Sequence, residues 1–386
     1  MKAISNSAKA LSFAFEQIFD APPEPNKAFF LRAEPLEGAA QIWQRGILNV
    51  QSCKPIYDQL QKNGCLVTPE LVHRALNLTQ DATGEHGASG QAGGCLRPAS
   101  DLRDADLLYH RQTGTDFDLG VLLITKHKQE NLANLARAWM ALRPGGHLIC
   151  VGGNDVGISS VEKAFKGMFD QPASLSKHHC KVLRGLRGNT MPEILSHWAE
   201  AGQLQIVPSL ACWSQPGIYN WNKIDAGSAL LTQALPDDLY GRAADLGAGW
   251  GYLSQQLLQR CQKITSIDLF EAEGLALNAA KANLEPLAAA AAATALRFHW
   301  HDVAQGLPPA AFDLVVMNPP FHDGKAVDIE LGRAFITSAA QALVPGGRLF
   351  MVANRQLPYE ETLNIAFSAQ TVLHENAIYK VLSAVR

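Results

Sequence analysis

The sequence predicts an α/β protein made of two tandem domains of the same architecture. Short apolar, β-branched segments alternate with segments of helical period along the chain. Ala-Leu-Arg-Pro-Gly-Gly-His-Leu at 141–148 reappears as Ala-Leu-Val-Pro-Gly-Gly-Arg-Leu at 342–349, and Phe-Asp-Leu stands upstream of both. Pro-Gly-Gly alone is ordinary chemistry after a helix, but two matches in the same order favour an internal duplication. The boundary is expected near residues 190–205, with domains at 1–200 and 201–386.

The composition fits two soluble domains with large cores. Of the 386 residues, 47% are hydrophobic and 18% are charged, which argues against global disorder. A net charge of −3 excludes a strongly basic nucleic-acid coat but leaves room for a local basic patch. The seven cysteines form no Cys-x-x-Cys pair, so reduced thiols and no zinc site are expected. Neither a signal peptide nor an apolar stretch of about 18 residues is seen, which predicts a cytoplasmic protein.

Strands and helices alternate in the first half, as in an α/β domain. Strands are predicted at residues 27–32, 117–125 and 147–152. Helices are predicted within 1–26, at 129–142 and at 162–169, and residues 41–72 add short elements of both kinds. Leu132, Leu135 and Trp139 recur at helical spacing, and Pro144-Gly145-Gly146 is expected to end their helix. Residues 81–94 are rich in Gly, Ala, Ser and Thr and predict a surface loop.

The second half repeats this series and adds a glycine-rich turn. Strands are predicted before the turn and at residues 264–267, 297–300, 312–317 and 348–353; helices are predicted at 252–260 and 331–343. The turn reads Asp245-x-Gly247-x-Gly249-x-Gly251, which differs from the pyrophosphate pattern Gly-x-Gly-x-x-Gly. Glycines at such a turn let the backbone bend sharply and approach a ligand closely. The spacing therefore predicts a ligand site of another kind at this strand end.

Two acids follow the next two predicted strands. Asp268 is expected to end the strand at 264–267, where a carboxylate can accept hydrogen bonds from both ribose hydroxyls of a nucleoside cofactor. The alternative for Asp268 alone is an acid in a surface turn. Asp302 follows the strand at 297–300 and could meet an adenine amino group, although His299 and His301 beside it leave that contact open.

The strand at 312–317 stops at Asn318-Pro319-Pro320-Phe321, because prolines cannot donate to a sheet ladder. The tetrad offers a carboxamide, a backbone carbonyl and an aromatic ring. Two acceptors, the Asn318 side-chain oxygen and the Pro319 carbonyl, suit the two hydrogens of a ring-bound amine, and Phe321 would stack on the ring. Such an amine is a poor nucleophile, so catalysis would consist mainly of positioning and of stabilising positive charge on nitrogen. The alternative is a Pro-Pro turn that only caps the strand.

In this order, the glycine turn, the two acids and the tetrad resemble the class I S-adenosylmethionine-dependent methyltransferases. The resemblance implies a fold of two tandem class I methyltransferase (Rossmann-like) α/β domains, of which the N-terminal one is degenerate. It implies that the cofactor S-adenosyl-L-methionine is bound by Asp245, Gly247, Gly249, Gly251, Asp268 and Asp302.

Further motifs narrow the resemblance to the bacterial ribosomal RNA guanine-N2 methyltransferases, namely the small-subunit methyltransferase C type and its large-subunit counterpart, the methyltransferase G type. These motifs are Gly217-Ile218-Tyr219, Ile224-Asp225-x-Gly227-Ser228, Phe321-His322-Asp323-Gly324 and Val352-Ala353-Asn354-Arg355. The similarity is specific across 215–386 and diffuse over 1–200, and Tyr219-Asn220-Trp221 departs from an expected Phe-Ser-Arg.

The resemblance also implies a reaction and its partners. A methyl group would pass to the 2-amino group of a guanine in ribosomal RNA. Asn318, Pro319 and Phe321 would be catalytic, and Pro320 and His322 would contact the substrate. The expected partner is ribosomal RNA or a ribosomal subunit, with no membrane and no metal, and the chain is expected to act as a monomer.

The N-terminal copy is expected to keep the fold without the site. It has no glycine-rich turn after its first strand, and Ile124-Thr125-Lys126 stands where the second copy has Asn-Pro-Pro. A basic cluster between residues 163 and 187, with Lys181 and Arg184 as candidate substrate contacts, favours RNA docking, and a solvated helix face is the alternative.

Two other functions stay open at this stage. A glutamine-N5 protein methyltransferase uses a similar tetrad, although a helical N-terminal domain would then be expected. An RNA-binding assembly factor with an inactive site is the second, although it would have no need of both the turn and the tetrad.

Overall fold

The structure is a computed structural model that describes residues 5–18, 27–36, 38–45, 47–69, 117–291, 294–320, 322–323, 326–327 and 329–386. The chain divides into two compact units, Met1–Gln203 and Leu204–Arg386. The loop predicted at residues 81–94 lies outside the described residues.

The first unit contains one sheet of mixed direction flanked by helices. Its strands are β1 (Ala28–Leu31), β2 (Leu48–Val50), β3 (Leu66–Thr68), β4 (Phe117–Leu123), β5 (Leu142–Gly153), β6 (Phe169–Lys177) and β7 (Cys180–Arg187). The strand order is β3-β2-β1-β4-β5-β7-β6, with the first five strands parallel and β7 and β6 antiparallel. The described helices are α1 (Asn6–Ile18), α2 (Gly38–Arg45), α3 (Lys54–Lys62), α4 (Lys128–Ala141), α5 (Ile158–Lys166) and α6 (Ile194–Ala201).

The second unit repeats the same sheet. Its main strands are β10 (Tyr240–Leu246), β11 (Lys263–Glu271), β12 (Ala295–Trp300), β13 (Phe312–Met317), β16 (Leu343–Asn354), β17 (Ala369–Glu375) and β18 (Tyr379–Val385), in the order β12-β11-β10-β13-β16-β18-β17. Two small hairpins are formed by β8 (Gln205–Val207) with β9 (Cys212–Ser214) and by β14 (His322–Asp323) with β15 (Ala326–Val327). The helices are α7 (Ala226–Ala234), α8 (Tyr252–Arg260), α9 (Gly274–Ala291), α10 (Ile329–Ala342) and α11 (Glu360–Ala366). The predicted pair of tandem α/β domains is confirmed.

Apolar side chains cover both faces of the sheet in the second unit. Successive residues of a strand point to opposite faces, and Val315 and Val316 accordingly join two different core clusters. In the first unit, the predicted helical face is confirmed, since Leu135 and Trp139 of α4 are buried in the core. Two buried faces explain why these strands read as continuous apolar runs.

Two predicted helix ends in the first unit are wrong. Pro144-Gly145-Gly146 does not end a helix, because α4 stops at Ala141 and Leu142 is already extended and paired with Phe117. The Pro-Gly-Gly lies inside β5, at a register irregularity where Gly145 has a positive φ of 75°. The helix expected at 162–169 is α5, which ends at Lys166, so that Phe169 instead begins β6.

Strand register shows what the first unit has lost. Leu119 pairs with His147 and Leu314 with Arg348, the residues that follow the two Pro-Gly-Gly turns. On this alignment Phe30, Arg32 and Leu123 hold the positions of Asp245, Gly247 and Asn318. The equivalence of Ile124-Thr125-Lys126 with Asn318-Pro319-Pro320 is therefore wrong by one residue. The Phe-Asp-Leu motifs at 117–119 and 312–314 fall in this same register, so the sequence already carried the signal for the correct alignment.

A buried charged network occupies the carboxyl edge of the first sheet. Arg32 Nε donates to Glu130 Oε1 at 2.5 Å, and Arg32 Nη1 donates to Ser52 Oγ at 2.6 Å. Thr125 Oγ1 donates to Glu130 Oε2 at 2.7 Å, and the Thr125 N–H donates to Asn131 at 2.9 Å. The Arg32 and Glu130 side chains are 14% and 4% exposed. An arginine–glutamate pair thus fills the strand ends that in the second unit carry the glycine turn.

Candidate active site

The glycine turn and the Asn-Pro-Pro segment follow neighbouring parallel strands. Leu246 at the end of β10 pairs with Met317 at the end of β13. Gly247 and Asn318 therefore begin the two loops side by side, since paired strands lie about 4.8 Å apart. A Cβ added to Gly247 would come within 3.9 Å of Pro320 Cδ. The two motifs that are distant in sequence thus form one edge, while Phe321 lies outside the described residues.

Each glycine of the turn has a left-handed backbone and its own surroundings. The φ angles of Gly247, Gly249 and Gly251 are 72°, 57° and 92°, a region that favours glycine. A Cβ on Gly249 would meet nothing within 4 Å, so this backbone faces open space. A Cβ on Gly251 would lie 3.0 Å from Leu284 of α9. Gly249 therefore leaves room for a ligand, whereas Gly251 lets the helices pack.

Asp245 is completely buried at the end of β10. Its Oδ2 accepts hydrogen bonds from the Ser254 N–H at 3.1 Å and the Ser254 hydroxyl at 2.7 Å. Its Oδ1 has no hydrogen-bond partner among the described residues. Burial raises the pKa of Asp245 to about 7, against the opposing effect of the Ser254 hydrogen bonds. A buried acceptor without a partner is costly, and it marks this carboxylate as a group prepared to meet a donor.

The strand predicted to end at Asp268 in fact continues to Glu271. Asp268 lies inside β11, with Arg297 Nη1 at 2.9 Å and His299 Nε2 at 2.8 Å from its oxygens. Burial by itself raises the pKa of Asp268, but the hydrogen bonds from His299 and Arg297 outweigh it, and the pKa lies below its ordinary value. Three residues of strand span about 10 Å, so the expected position of Asp268 at the sheet edge is wrong.

Glu271, which sequence reasoning missed, takes the strand-end position. Its Oε2 accepts the Gly249 N–H at 2.7 Å, and its Oε1 accepts the Glu273 N–H at 2.8 Å. Burial raises the pKa of Glu271, and these backbone hydrogen bonds act in the opposite direction. The signal in the sequence was the apolar pair Leu269-Phe270, which extends the strand beyond Asp268.

Asp302 lies just beyond β12, at the same carboxyl edge. It caps a 3₁₀ turn, with Oδ1 accepting the Ala304 N–H at 3.1 Å. The two histidines that left its role open are engaged elsewhere: His299 contacts Asp268 and His301 contacts the Gly306 carbonyl oxygen at 2.8 Å. Asp302 is therefore the acidic residue at the carboxyl end of β12.

The carboxamide of Asn318 is held from one side. Its Nδ2 donates to Asp225 Oδ1 at 2.8 Å and to Ser228 Oγ at 2.9 Å. Its Oδ1 makes no hydrogen bond to any residue that the structure describes. Pro319 is buried and Pro320 is exposed.

The other candidate substrate residues are His322, Lys181 and Arg184, and they lie on other strands. His322 begins the short strand β14, and its side chain is outside the description. Lys181 and Arg184 lie on β7 of the first unit, so the basic cluster spans α5 and the β6–β7 hairpin and is not a single helix face. Lys181 Nζ contacts Glu162 Oε2 at 2.6 Å, which neutralises part of its charge. Arg184 is partly exposed.

The described residues show neither a metal-binding cluster nor a helix that could cross a membrane. No group of three or more His, Cys, Asp or Glu side chains in the described parts of the chain could hold a metal ion. None of the described helices combines the length and the apolar character needed to cross a membrane. The cysteines that are described are all free thiols.

Family models match both halves of the chain. Residues 209–383 match the methyltransferase small domain, and residues 90–201 match its N-terminal domain. Curated relatives include the ribosomal RNA small subunit methyltransferase C of Psychromonas ingrahamii, 31% identical over 71% of this chain and 77% of the relative. The protein of the same name from Shewanella pealeana is 32% identical over 73% and 82%.

One solved structure covers both units. The N2 methyltransferase of T. thermophilus 16S rRNA, in complex with AdoMet and guanosine, is 22% identical, with a TM-score of 0.70 over 99% of this chain and 92% of that one. This likeness shows the fold, and it confirms the predicted pair of class I methyltransferase domains.

Proposed function

The chain belongs to the ribosomal RNA small subunit methyltransferase C family, and on that premise we propose that it methylates the exocyclic N2 amine of a guanine in ribosomal RNA with S-adenosylmethionine as methyl donor. One observation carries the proposal: the glycine turn and Asn318 lie side by side on neighbouring strand ends. A donor site and an amine-binding site are thereby adjacent, as direct transfer between two bound molecules requires.

The residues at the edge fit S-adenosylmethionine. The buried Oδ1 of Asp245 needs a donor, and the cofactor's ammonium group would supply one. The open space at Gly249 can accept the cofactor against the backbone. Glu271 would hold the ribose hydroxyls, in the role first expected of Asp268, and Asp302 would meet the adenine amine. The bound cofactor supplies an electrophilic methyl group.

The tetrad would prepare the amine for attack. The Oδ1 of Asn318 and the Pro319 carbonyl would accept the two amine hydrogens. The nitrogen lone pair would then point towards the side where the methyl donor binds. Both acceptors carry partial negative charge, so they stabilise the positive charge that develops on nitrogen. Phe321 would stack on the guanine, with Pro320 and His322 along its edge. The target base must leave its stack to reach these groups.

The first unit would support the fold and dock RNA. Arg184 is the stronger candidate for phosphate contact, because Glu162 already pairs with Lys181. We expect the enzyme to act as a monomer in the cytoplasm, where ribosomal RNA is processed. The family membership disfavours a glutamine-N5 protein methyltransferase, and the intact strand-end site disfavours an assembly factor with an inactive site.

The test is transfer of tritium from labelled S-adenosylmethionine to ribosomal RNA. Naked 16S rRNA and small subunits from a strain that lacks the enzyme should be compared, with large-subunit RNA as control. Digestion and mass spectrometry should identify N2-methylguanosine as the product. Cofactor binding without label in any ribosomal RNA would overturn the proposed function.

Glu271→Gln is expected to weaken S-adenosylmethionine binding by about 10-fold, in line with about 1.5 kcal/mol for a hydrogen bond to a charged acceptor. Asp268→Asn should change the dissociation constant less than threefold, because Asp268 is held by Arg297 and His299 inside β11. Calorimetric titration of both variants measures the difference. A larger loss in Asp268→Asn than in Glu271→Gln would restore Asp268 as the cofactor ligand.

The affinity for S-adenosylmethionine is expected to rise as the pH increases from about 6 to about 7.5. Below its pKa of about 7 Asp245 is protonated and neutral, whereas above it the carboxylate attracts the cofactor's ammonium. The same shift makes the folded protein bind an extra proton between pH 3.8 and about 7, so the free energy of unfolding falls as the pH rises through that window. Calorimetry at several pH values measures the first effect, and Asp245→Asn should abolish its slope.

A further inference from the structure

The side chain of Asp225 lies behind the catalytic carboxamide and is not part of the tetrad. Asp225 precedes α7, and its Oδ1 accepts both the Ser228 N–H of the first helical turn, at 2.9 Å, and Asn318 Nδ2, at 2.8 Å. Its Oδ2 accepts Asn220 Nδ2 at 2.9 Å and the Tyr219 hydroxyl at 3.4 Å. Four donors from three segments thus converge on one carboxylate.

This arrangement decides which way the amide of Asn318 faces. An ionised carboxylate can only accept hydrogen bonds, so the group that meets Asp225 must be the NH₂ end. Ser228 Oγ accepts the second hydrogen of the same nitrogen at 2.9 Å. A flipped amide would set its oxygen against the Asp225 carboxylate and leave its nitrogen on the substrate side. Both hydrogens of Nδ2 are used, and Oδ1 is left for a substrate amine. The two hydrogen bonds from Nδ2, to Asp225 Oδ1 and to Ser228 Oγ, are called the carboxamide clamp below.

We propose that Asp225, together with Ser228, is the positioning residue that orients Asn318 Oδ1 towards the substrate amine and makes it a stronger acceptor. Hydrogen bonds in a chain polarise one another. A carboxylate that accepts from Nδ2 therefore draws the amide towards its charge-separated form and increases negative charge on Oδ1. Positive charge on the reacting nitrogen then meets a better acceptor. The role rests on the proposed methyl transfer, since it concerns the same site.

Asp225 also caps α7, and a test has to separate the two roles. Removing an N-cap side chain costs stability whatever the site does. Thr232 offers a matched control in the same helix, because its hydroxyl donates to the Ala229 carbonyl at 2.8 Å and lies 3.3 Å from the Tyr252 hydroxyl, without a contact to Asn318. Thr232→Ala removes a buried side chain and its hydrogen bonds from the same helix, and it leaves the hydrogen bonds of Asn318 in place.

The first measurement is steady-state methyl transfer. Asp225→Ala is expected to lower kcat about 10- to 100-fold, the scale of a misplaced reacting group, with the KM for S-adenosylmethionine within about twofold of wild type. Asp225→Asn keeps an oxygen that can accept from Ser228 and Asn318, and it should lose less than about fivefold. Thr232→Ala should keep kcat within about twofold. An equal fall in Thr232→Ala and Asp225→Ala, or none in Asp225→Ala, would overturn the assignment.

The second measurement does not need activity. With ¹⁵N-asparagine labelling, the side-chain NH₂ signals of Asn318 are identified by their loss in Asn318→Ala. Both hydrogens should exchange slowly in the wild type and at least about 10-fold faster in Asp225→Ala. Unchanged exchange would refute the clamp even if activity fell. If the wild type methylated no ribosomal RNA while exchange accelerated as expected, the proposed function would fail and the clamp would stand.

Discussion

Asn318→Ala is expected to lower kcat for methyl transfer by about 10²- to 10³-fold, the effect of removing one preorganised partner of a charged transition state. The variant loses the Oδ1 acceptor and leaves the Pro319 carbonyl to hold the amine alone. Asn318 lies beside the glycine turn but makes its own hydrogen bonds to Asp225 and Ser228. The dissociation constant of S-adenosylmethionine should therefore stay within about threefold. Single-turnover transfer and calorimetry on the same preparation measure the two quantities.

Asn364→Ala is a matched control for Asn318→Ala. Asn364 lies on α11 of the same unit, where its Oδ1 accepts from Gln370 at 2.7 Å on the exposed surface. The substitution is chemically identical and should leave kcat near the wild-type value. A wild-type kcat in Asn318→Ala would show that the strand-end carboxamide takes no part in the reaction.

Glu130→Ala is expected to lower the free energy of unfolding of the first unit by about 3–5 kcal/mol, the cost of removing one member of a buried ion pair. The Arg32 guanidinium would lose Glu130, and the Thr125 hydroxyl would keep only Asn131 Oδ1 as an acceptor. Urea denaturation of the whole chain, followed by circular dichroism and tryptophan fluorescence, should show an earlier first transition. The second unit should unfold at its wild-type urea concentration.

The double replacement Arg32→Met with Glu130→Leu tests whether the broken ion pair causes the loss of stability in Glu130→Ala. Exchange of a buried ion pair for apolar side chains of similar volume is often neutral or stabilising. The double variant should therefore recover most of the loss seen in Glu130→Ala. A double variant as unstable as Glu130→Ala would mean that the remaining polar contacts of the network, at Ser52 and Asn131, carry its stability.

The pair also explains why the first unit can keep the fold without the site. Arg32 holds the position of Gly247 and has a positive φ of 54°, so the backbone still turns there. Its side chain occupies the edge that glycine leaves open. Phe30 stands in place of Asp245, so the first unit has no counterpart of the carboxylate that we propose for the cofactor ammonium. The first unit therefore differs from the second in the side chains at the positions of Asp245, Gly247 and Asn318, while its apolar core residues still form the same sheet.

The sequence by itself determined the fold class and the pairing of motifs in the second unit. Two Pro-Gly-Gly segments with Phe-Asp-Leu upstream identified the duplication. Glycines and an Asn-Pro-Pro-Phe tetrad each follow an apolar strand, and the carboxyl ends of parallel strands meet at one edge. Such features depend on local backbone chemistry, which a short stretch of sequence carries completely.

Only the tertiary structure decided where strands end and which polar groups meet. Glu271, and not Asp268, ends β11, because the strand continues as long as β10 and β12 supply hydrogen bonds to it. Lys181 meets Glu162 across elements, and Asp225 reaches Asn318 from a distant segment. Pairing register and long-range side-chain contacts depend on the neighbour that packs against a residue. The local sequence around a residue does not identify that neighbour, so only the three-dimensional structure showed that Asp225 and Ser228 hold Asn318.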